Sequence, residues 1–553
     1  MSTTNTVLKI HPKDNVIVAL RDLEKGTKVV LNSEEYTLSD TISAKHKFAT
    51  QAFKKGDAIY MYGVLVGRAK KDIAQGGLIS TTNLEHDTET YAANNEKNKI
   101  EWEQPDVSKF ITKTFNGYHR ADGKVGTENN WLIIPLVFCQ NRNVEVLKHA
   151  LLEKLGFSKE QHLKLDVDAL IADYKSGAST EAILNKDILK SSQHKEKNSL
   201  FPNVDGIHFL THEGGCGGAT SDSVALCHLL AGYINNPNVA GATILSLGCQ
   251  HAQASILQDA LNKMSPEHKK PIYVLEQQHI ASEEVLLAEA VKKTFVGLIE
   301  ANKNERKPAP LSKLVIGLEC GGSDGFSGIS ANPTLGYVSD LIVALGGASV
   351  LSEFPELNGV EQEMINRCTK VENAKKFSKI MSTYNAKADA LGAGFYANPS
   401  PGNIKDGLIT DAIKSAGAAK KGGSSPVEDV LDYTEQVTKP GLNLLCTPGN
   451  DVESTTGLAG SGCNIILFTT GLGTPTGNPI TPVVKVSTNT KLYNKMPDII
   501  DFNAGTIIEG TTSIEEAGEQ LLDFVIEVAS GKLTKAKQLR QDDFIPWKRG
   551  MSL

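Results

Sequence analysis

The sequence has few aromatic residues, no long apolar run and only a mild excess of acidic over basic residues. Phe, Trp and Tyr make up 6% of its 553 residues, and its longest dense apolar stretch, residues 131–139, is interrupted by Pro135. A membrane-spanning helix needs about 20 consecutive apolar residues, so none is expected. With 57 Lys and Arg against 64 Asp and Glu, the net charge of −7 favours neither nucleic acid nor an anionic membrane as a partner.

Secretion signals and cysteine pairs are also missing. The first residues contain no basic stretch followed by an apolar core, which is the pattern of a signal peptide. None of the eight cysteines forms a Cys-x-x-Cys pair, which argues against a disulfide framework. The P-loop, His-Glu-x-x-His, EF-hand and zinc-ribbon spacings do not occur either. We therefore expect a cytoplasmic protein with reduced thiols.

The chain does contain 49 glycines, and apolar runs alternate along it with segments of helical periodicity. Residues 1–95 contain short strands separated by glycine turns and predict a small β domain. Residues 105–305 alternate buried strands with helices such as 283–302, and they predict an α/β domain with a largely parallel sheet. The charged stretch 150–200 within it is interpreted as a peripheral helical insertion. Residues 310–553 predict a second α/β domain.

The sharpest local feature is a glycine-rich loop directly after the apolar run 314–318. Its members are Gly321, Gly322, Ser323, Asp324 and Gly325. The N–H groups of such a loop approach and cradle anions. Asn332 and Pro333 follow and are typical of the N-cap and first turn of a helix. Together these features predict a carboxylate or phosphate site, the alternative being a plain tight turn.

Two other apolar runs end in residues with reactive side chains. His212 and Cys216 follow the first run among glycines, and Cys249 follows the second. Ligands of α/β proteins bind outside the carboxyl ends of parallel strands. His212 is therefore a candidate base, metal ligand or nucleophile, or else a hydrogen-bonded structural residue. Cys216, Cys249 and Cys320 are predicted to reach one edge, where three thiols suit an iron–sulfur cluster, although free cysteines are commonly packing residues.

Two turn-rich loops offer the small polar groups that bind a polyhydroxylated acid. Residues 398–407 contain Asn403 and Lys405, and residues 447–451 begin with Thr447. Their amide, hydroxyl and amine groups either bind hydroxyls and carboxylates or simply cover the surface. All thirteen histidines lie at or before His279, so any imidazole in the site comes from the first half of the chain.

A set of motifs runs in order from about residue 110 to the end. They are Gly117-Tyr118-x-Arg120-x-Asp122-Gly123-x-Val125-Gly126-Thr127-x-Asn129, Cys320-Gly321-Gly322-Ser323-Asp324-Gly325, Asn332-Pro333, Ser352-Glu353-x-Pro355-Glu356, Asn398-Pro399-Ser400-Pro401-Gly402-Asn403 and Thr447-Pro448-Gly449. Together they resemble the motifs of the altronate/galactarate dehydratase family. The first 90 residues are similar to the SAF-type β-clip domain of that family. The resemblance implies a small β-clip domain followed by two α/β catalytic domains with largely parallel sheets.

The resemblance also implies dehydration of a sugar acid to a 2-keto-3-deoxy acid, with Fe²⁺ or Mn²⁺ as the metal and Mg²⁺ as an option. A proton α to a carboxylate is weakly acidic, so its removal needs a metal or clustered donors, a base and an acid. His212 and Lys405 are the candidates for the two proton transfers. The candidates for substrate binding are Arg120, Gly321, Gly322, Ser323, Asp324, Asn403 and Thr447. The candidates for the metal are His46, His212 and Glu353.

Among substrates, the resemblance favours D-altronate, followed by galactarate and, more distantly, by sulfolactate in a sulfo-lyase reaction. All three reactions begin with α-proton abstraction and continue by β-elimination. A sugar-acid-binding protein without catalysis is the alternative from another class. Its support is that Ser80-Thr81-Thr82-Asn83 stands where the family has His-x-His-Asn. A homo-oligomer is expected for a metabolic enzyme of this size.

Overall fold

The N-terminal domain consists of short antiparallel strands joined by tight turns. The computed structural model describes residues 6–93, 102–157, 163–191, 199–267 and 269–552. The first strands are β1 Val7–Leu8, β2 Val16–Ala19, β3 Lys28–Leu31, β4 Glu34–Thr37, β5 Lys47–Ala49, β6 Ala58–Met61, β7 Val64–Ala69, β8 Leu78–Ile79 and β9 Leu84–Glu85. They form the sheets β1-β2-β5-β8 and β6-β7-β9 and the hairpin β3-β4. Alternate residues of β6 are buried, which is the period of a half-buried strand.

The middle domain is built on a parallel sheet in the order β15-β12-β16-β17. Its strands and their flanking partners are β10 Thr114–His119, β11 Val125–Gly126, β12 Asn130–Pro135, β13 Leu163–Leu165, β14 Leu189–Ser191, β15 Gly206–Phe209, β16 Val239–Ser246, β17 Ile272–Glu276 and β18 Arg306–Pro310. Its helices are α1 Asn141–Leu152, α2 Val167–Lys175, α3 Thr180–Leu184, α4 Thr220–Asn235, α5 Ala254–Met264 and α6 Glu283–Ala301. Every residue of β12 and β16 is buried, as in sheets covered on both faces.

The charged stretch 150–200 is only partly helical. Its described part pairs β13 with β14 and adds the short helices α2 and α3, which bury no residue. Residues 158–162 and 192–198 lie outside the described part of the chain. The described part thus combines a pair of antiparallel strands with two short helices that lie between them in the chain.

The C-terminal domain carries a seven-stranded parallel sheet in the order β21-β22-β20-β19-β23-β24-β25. The strands are β19 Val315–Cys320, β20 Ala348–Leu351, β21 Val427–Leu431, β22 Gly441–Leu445, β23 Ile465–Thr470, β24 Val483–Ser487 and β25 Phe502–Asn503. The helices are α7 Ala331–Ala344, α8 Glu361–Arg367, α9 Val371–Ala390, α10 Pro401–Lys405, α11 Asp411–Ala419, α12 Asp451–Gly460, α13 Thr490–Lys495, α14 Ile514–Ala529 and α15 Lys535–Leu539. The predicted fold class, a β-clip domain followed by two largely parallel α/β domains, is confirmed. None of the described helices combines the length and apolar composition that crossing a bilayer requires.

Helix α7 begins earlier than the sequence predicts. Ser330 is its N-cap, so Asn332 already lies inside the first turn together with Pro333. The side chain of Asn332 donates to the carbonyl of Gly417 at 3.0 Å and accepts from the hydroxyl of Thr469 at 2.7 Å. The prediction of an N-cap role for Asn332 is therefore wrong, because its amide connects three elements of the domain instead.

The N-terminal domain is anchored to the C-terminal domain by two lysines. Nζ of Lys45 lies 2.9 Å from a carboxylate oxygen of both Asp324 and Asp406. The fully buried Lys47 donates to the carbonyl of Gly407 at 2.6 Å. These contacts join β5 to the glycine-rich loop and to the loop 398–407, so the small domain contacts both loops that the sequence singles out.

Replacing Lys45 by Met should loosen this anchor. Removing one partner of a largely buried ion pair costs about 3 kcal/mol because the other charge stays buried. Hydrogen exchange of the β2 and β5 amides measures the effect, and their protection should fall by that amount. The matched control is Lys54→Met, whose partner Asp72 is exposed, and it should leave the protection nearly unchanged. Equal losses in both variants would contradict the anchoring role.

Candidate active site

The carboxyl ends of three neighbouring strands in the large sheet carry buried charged and polar side chains. β19 ends in Glu319 and Cys320, β20 is followed by Ser352 and Glu353, and Thr447 comes two residues after β22. β20 lies between β19 and β22, and all three run parallel. Ligands of parallel α/β sheets bind at this edge, which makes it the candidate active site.

Glu353 lies at the centre of this group in a strained backbone conformation. Its φ of 64° lies in the left-handed region, which is costly for a residue with a side chain. Its backbone N–H donates to the hydroxyl of Thr447 at 2.8 Å. Its Oε2 accepts a hydrogen bond from the N–H of Cys320 at 3.1 Å. The neighbouring strand ends thus hold both the backbone and the carboxylate of Glu353 in place.

Lys421 places a buried ammonium between that carboxylate and a thiol. Its Nζ lies 2.5 Å from Glu353 Oε2 and 2.9 Å from Cys320 Sγ. Burial alone would lower the pKa of Lys421, but Cys320 and the carboxylates of Glu353 and Glu356 raise it well above its usual value. The ammonium is therefore charged in the resting protein, and it supplies a positive charge at the strand ends.

A second lysine, Lys414, pairs with Glu356. Its Nζ lies 2.7 Å from Glu356 Oε1 and donates to Asn398 Oδ1 at 2.6 Å. Cys320 Sγ donates to the other carboxylate oxygen of Glu356 at 3.0 Å. Burial raises the pKa of Glu356, but Lys414 and Lys421 outweigh it and lower this pKa to about 2. Asn398 connects the pair to the turn-rich loop 398–407.

An acidic trio, Glu319, Glu353 and Asp451, brings one carboxylate oxygen from each residue within 4.8 Å of the others. Glu319 Oε2 accepts from the hydroxyls of Ser352 and Ser454 at 2.8 and 2.6 Å. The buried Oε1 atoms of Glu319 and Glu353 have no partner among the described atoms. Burial, followed by the charge of Glu353, raises the pKa of Glu319 well above its usual value and that of Asp451 to about 7. Clustered carboxylates with unpaired oxygens fit the preference of hard divalent cations for oxygen ligands.

Cys320, Glu353 and Glu356 form a second group with the spacing of metal ligands. The Lys421 ammonium already lies against two of its members, Cys320 and Glu353. A metal cation bound there would be repelled by the ammonium at short range. Of the acidic trio only Glu353 contacts this ammonium, so the trio is the better candidate for a metal site.

A third lysine, Lys485, lies on the same face of the sheet as Glu319. In the parallel register Glu319 is opposite Phe468, and Phe468 is opposite Lys485. Nζ of Lys485 lies 3.4 Å from the centre of the Phe468 ring and has no hydrogen-bond partner in the described structure. Burial lowers the pKa of Lys485 to about 7, although Asp451 opposes the shift. The site therefore contains Lys421, which is charged in the resting protein, and Lys485, which titrates near neutral pH.

The structure brings part of the predicted glycine-rich loop, together with Asn403, to this edge. A Cβ on Gly321 would lie 2.0 Å from the carboxylate of Asp451, so only glycine fits beside the acidic trio. Nδ2 of Asn403 donates to the carbonyl of Ser323 at 2.7 Å. Gly322 has a φ of 60°, which glycine adopts without strain. The loop thus packs between the acidic trio and the loop 398–407.

Asp324 is turned towards the N-terminal domain instead. Its Oδ2 contacts Lys45 and accepts from the hydroxyl of Thr488 at 3.0 Å. Its Oδ1 accepts from the hydroxyl of Ser327 and the N–H of Phe326, both at 3.1 Å. Both carboxylate oxygens therefore already have protein partners, which fits an anchoring residue.

Arg120 lies at the other end of the middle sheet. Its guanidinium donates to the carbonyl of Pro237 at 2.7 Å and to Asn129 Oδ1 at 3.0 Å. Pro237 comes two residues before β16, so these bonds join the starting ends of strands. The structure does not bring Arg120 together with the residues at the carboxyl edge of the C-terminal sheet.

Both ring nitrogens of His212 are used by the protein. Nδ1 accepts from the N–H of Gly214 at 3.0 Å, which leaves the proton on Nε2, 2.7 Å from the carbonyl of Pro135. Burial lowers the pKa of His212 to about 4 against the opposing effect of this carbonyl. The imidazole is therefore neutral and fixes the loop that follows β15.

The imidazole of His46 contacts the backbone of Lys405 rather than its side chain. Nε2 of His46 lies 3.1 Å from the carbonyl of Lys405, whose own side chain is exposed. Of the three predicted metal ligands, Glu353 belongs to both groups with ligand spacing, whereas His46 and His212 belong to neither within the described chain. The structure therefore does not bring these three residues together.

The predicted three-thiol group is wrong. Cys216 and Cys249 follow β15 and β16 of the middle sheet, whereas Cys320 ends β19 of the C-terminal sheet. The three strands belong to two different sheets, so their carboxyl ends do not share one edge. Cys320 lies instead among Lys421 and the buried carboxylates.

Sequence reasoning missed several residues of the site. Glu319, Glu356 and Asp451 stand inside or beside the motifs singled out above, and the strand positions of their neighbours could have pointed to them. Lys485 interrupts an otherwise apolar strand, which is itself a signal because an unpaired lysine is rarely buried. Lys421 stands in an ordinary run of lysine and glycine, and nothing in the sequence distinguishes it.

Three family models match the chain in succession. Residues 5–87 match the altronate/galactarate dehydratase SAF domain. Residues 117–302 match the second domain of D-galactarate dehydratase/altronate hydrolase. Residues 311–552 match the C-terminal domain of D-galactarate/altronate dehydratase.

Curated relatives match over almost the whole length. An altronate dehydratase of Bacillus subtilis is 34% identical, with 99% of each chain covered. An altronate dehydratase of Escherichia coli is 33% identical over 99% of both chains. A galactarate dehydratase (L-threo-forming) of Escherichia coli is 31% identical over 95% of this chain and 93% of its own.

The depressed pKa of Glu356 predicts a pH-dependent contribution to stability. Its folded value lies below the ordinary 4.5, so the carboxylate stabilises the folded protein above pH 4.5, and this contribution of about 3 kcal/mol is lost towards pH 2. Glu356→Gln should therefore lower the melting temperature of metal-free protein most above pH 4.5, with a difference that shrinks in acid. Glu515→Gln, at an exposed position, is the control and should lower the melting temperature less than Glu356→Gln does. A constant difference for Glu356→Gln at every pH would contradict the assignment.

Proposed function

We propose that this chain, which belongs to the D-galactarate/altronate dehydratase family and is a sugar-acid hydro-lyase, removes water from D-altronate to form 2-dehydro-3-deoxy-D-gluconate. The identity to two altronate dehydratases extends over 99% of each chain, and the galactarate dehydratase match covers slightly less. The observation that carries the proposed dehydration is the acidic trio beside Lys421 and Lys485, at the strand ends where ligands bind.

Dehydration of a hydroxy acid requires negative charge to be stabilised on the carboxylate that loses its α-proton. The acidic trio would hold the divalent metal, Fe²⁺ or Mn²⁺ first and Mg²⁺ as an option, through the unpaired Oε1 atoms of Glu319 and Glu353 and through Asp451. A metal bound there supplies Lewis-acid stabilisation of the enediolate-like intermediate. The positive charge of Lys421 adds to that stabilisation in a water-poor environment.

Lys421 and Lys485 have opposite environments, and they suit the two proton transfers better than His212 and Lys405 do. Groups whose surroundings push their pKa values apart serve as acid and base in many enzymes. Glu319, Phe468 and Lys485 lie side by side on three neighbouring strands. The Nζ of Lys485 has no hydrogen-bond partner among the described residues, and Lys485 is the proposed base. Lys421 is protonated before the reaction, and it is the proposed acid that transfers this proton to the departing 3-hydroxyl.

The substrate would bind outside the strand ends, between the glycine-rich loop and the loop 398–407. Lys414 and Asn398, already hydrogen-bonded to each other, are suited to the carboxylate and hydroxyls of the acid. Asn403 and Thr447 hold Ser323 and Glu353 in place through their hydrogen bonds. Their proposed role is to position the site.

The substrate proposal is tested by measuring keto-acid formation from D-altronate, galactarate and sulfolactate with protein purified anaerobically in Fe²⁺ or Mn²⁺. We expect turnover of altronate and its loss on treatment with a chelator. Turnover of galactarate or sulfolactate alone would keep the elimination and overturn the substrate. Binding of sugar acids without any keto product, whichever metal is added, would favour the binding protein over the enzyme.

Replacing Lys485 by Met should lower kcat by at least about 100-fold, because a positioned general base contributes that much. The melting temperature should stay equal or rise, since the substitution removes a buried unpaired amine. Lys405→Met, at an exposed position, is the matched control and should retain activity. The opposite result, an active Lys485→Met beside inactive Lys405→Met or His212→Ala, would return the proton transfers to His212 and Lys405.

A further inference from the structure

Three of the eight cysteines differ from the rest in being accessible. Cys139 and Cys249 are exposed and Cys216 is half-buried, whereas the other five are buried. Cys139 follows β12, Cys216 follows β15 and Cys249 follows β16. These are three adjacent parallel strands of the middle sheet. All the accessible thiols therefore come from loops at one edge of one sheet.

The three loops are packed against one another. The N–H of Phe138 donates to the carbonyl of Gly214 at 3.1 Å, and the N–H of Ala252 donates to the carbonyl of Gly215 at 3.0 Å. A Cβ on Gly215 would lie 2.2 Å from the carbonyl oxygen of Leu136. The loop that carries Cys216 is thus fixed to the loops that carry Cys139 and Cys249.

We propose that Cys139, Cys216 and Cys249 hold an iron–sulfur cluster at this edge. Accessible thiols from three fixed loops are the ligands that such clusters use. Within the described chain these three sulfurs do not form a group compact enough for one ion, whereas a cluster binds each thiolate through a different iron. Each thiol gives up its proton as its sulfur bonds to iron.

A cleft lies beside one of the three cysteines. Cys216 and His212 line a cleft of about 570 Å³ that also contains Glu453 of α12 and Trp547. Three cysteines leave one iron of a four-iron cluster without a protein ligand. Of the three cysteines, Cys216 lines this cleft, which lies between residues of the middle and C-terminal domains. This centre is separate from the acidic trio.

The test uses the full-length protein, expressed with added iron and purified anaerobically. We expect about four irons and as many acid-labile sulfides per chain, with the visible absorption of a cluster. Cys139→Ser, Cys216→Ser and Cys249→Ser should each lose sulfide and absorption, whereas Cys320→Ser and Cys368→Ser should keep them. Bound zinc without sulfide, or a cluster that survives all three substitutions, would overturn the proposal.

Alkylation of the unmutated protein gives a second readout that does not depend on how the variants fold. The three thiols should be protected from iodoacetamide in the protein as isolated and become labelled after iron is removed. The five buried cysteines are the internal control and should stay unlabelled in both samples. Labelling of Cys139, Cys216 and Cys249 before iron removal would refute the cluster. Neither readout requires turnover, so a failure here is distinct from a failure of the proposed dehydration.

Discussion

A buried ammonium has to be neutralised where it lies, and in this protein Lys421 imposes that requirement on the whole carboxyl edge of the large sheet. Its partners are Glu353 and Cys320, which come from two different strands. Glu353 contacts the ammonium while its backbone is in a left-handed conformation, and the strand ends must hold that strain. Because an uncompensated buried charge costs several kcal/mol, the positions of β19, β20 and the turn after α11 depend on one another.

The N-terminal domain is part of the same arrangement. Asp324 belongs to the loop that packs beside the acidic trio, and it also receives the ammonium of Lys45. Lys47 reaches the loop 398–407 from the same strand, and Asn403 joins that loop to the glycine-rich loop. Movement of the small domain would therefore be transmitted to two loops that border the proposed substrate site. This connection gives the β-clip domain a physical role in shaping that site.

The sequence indicated the fold well and the site only in part, for identifiable reasons. Runs such as β12 and β16 are apolar at nearly every position, so the parallel sheets could be read directly. The motifs around Cys320, Glu353 and Thr447 pointed to strand ends that the structure does bring together. The sequence does not show which strands share a sheet, and for that reason it groups Cys320 with Cys216 and Cys249. Lys421 and Lys485 become informative only through burial and pairing, which no spacing of residues reveals.

β10 and β18, the strands at the two ends of the middle domain, show how the chain divides into domains. β10 and β18 pair antiparallel, with Gly117 opposite Lys307 and Tyr118 opposite Arg306, so the chain leaves for the middle domain and returns from it at neighbouring points about 5 Å apart. Such an arrangement is that of one domain inserted into another, and insertions with close ends can be removed or exchanged without stretching the host. Replacing residues 120–305 by a short turn would join β10 to β18 as an ordinary hairpin. The same junction would accept a foreign domain whose own termini lie side by side.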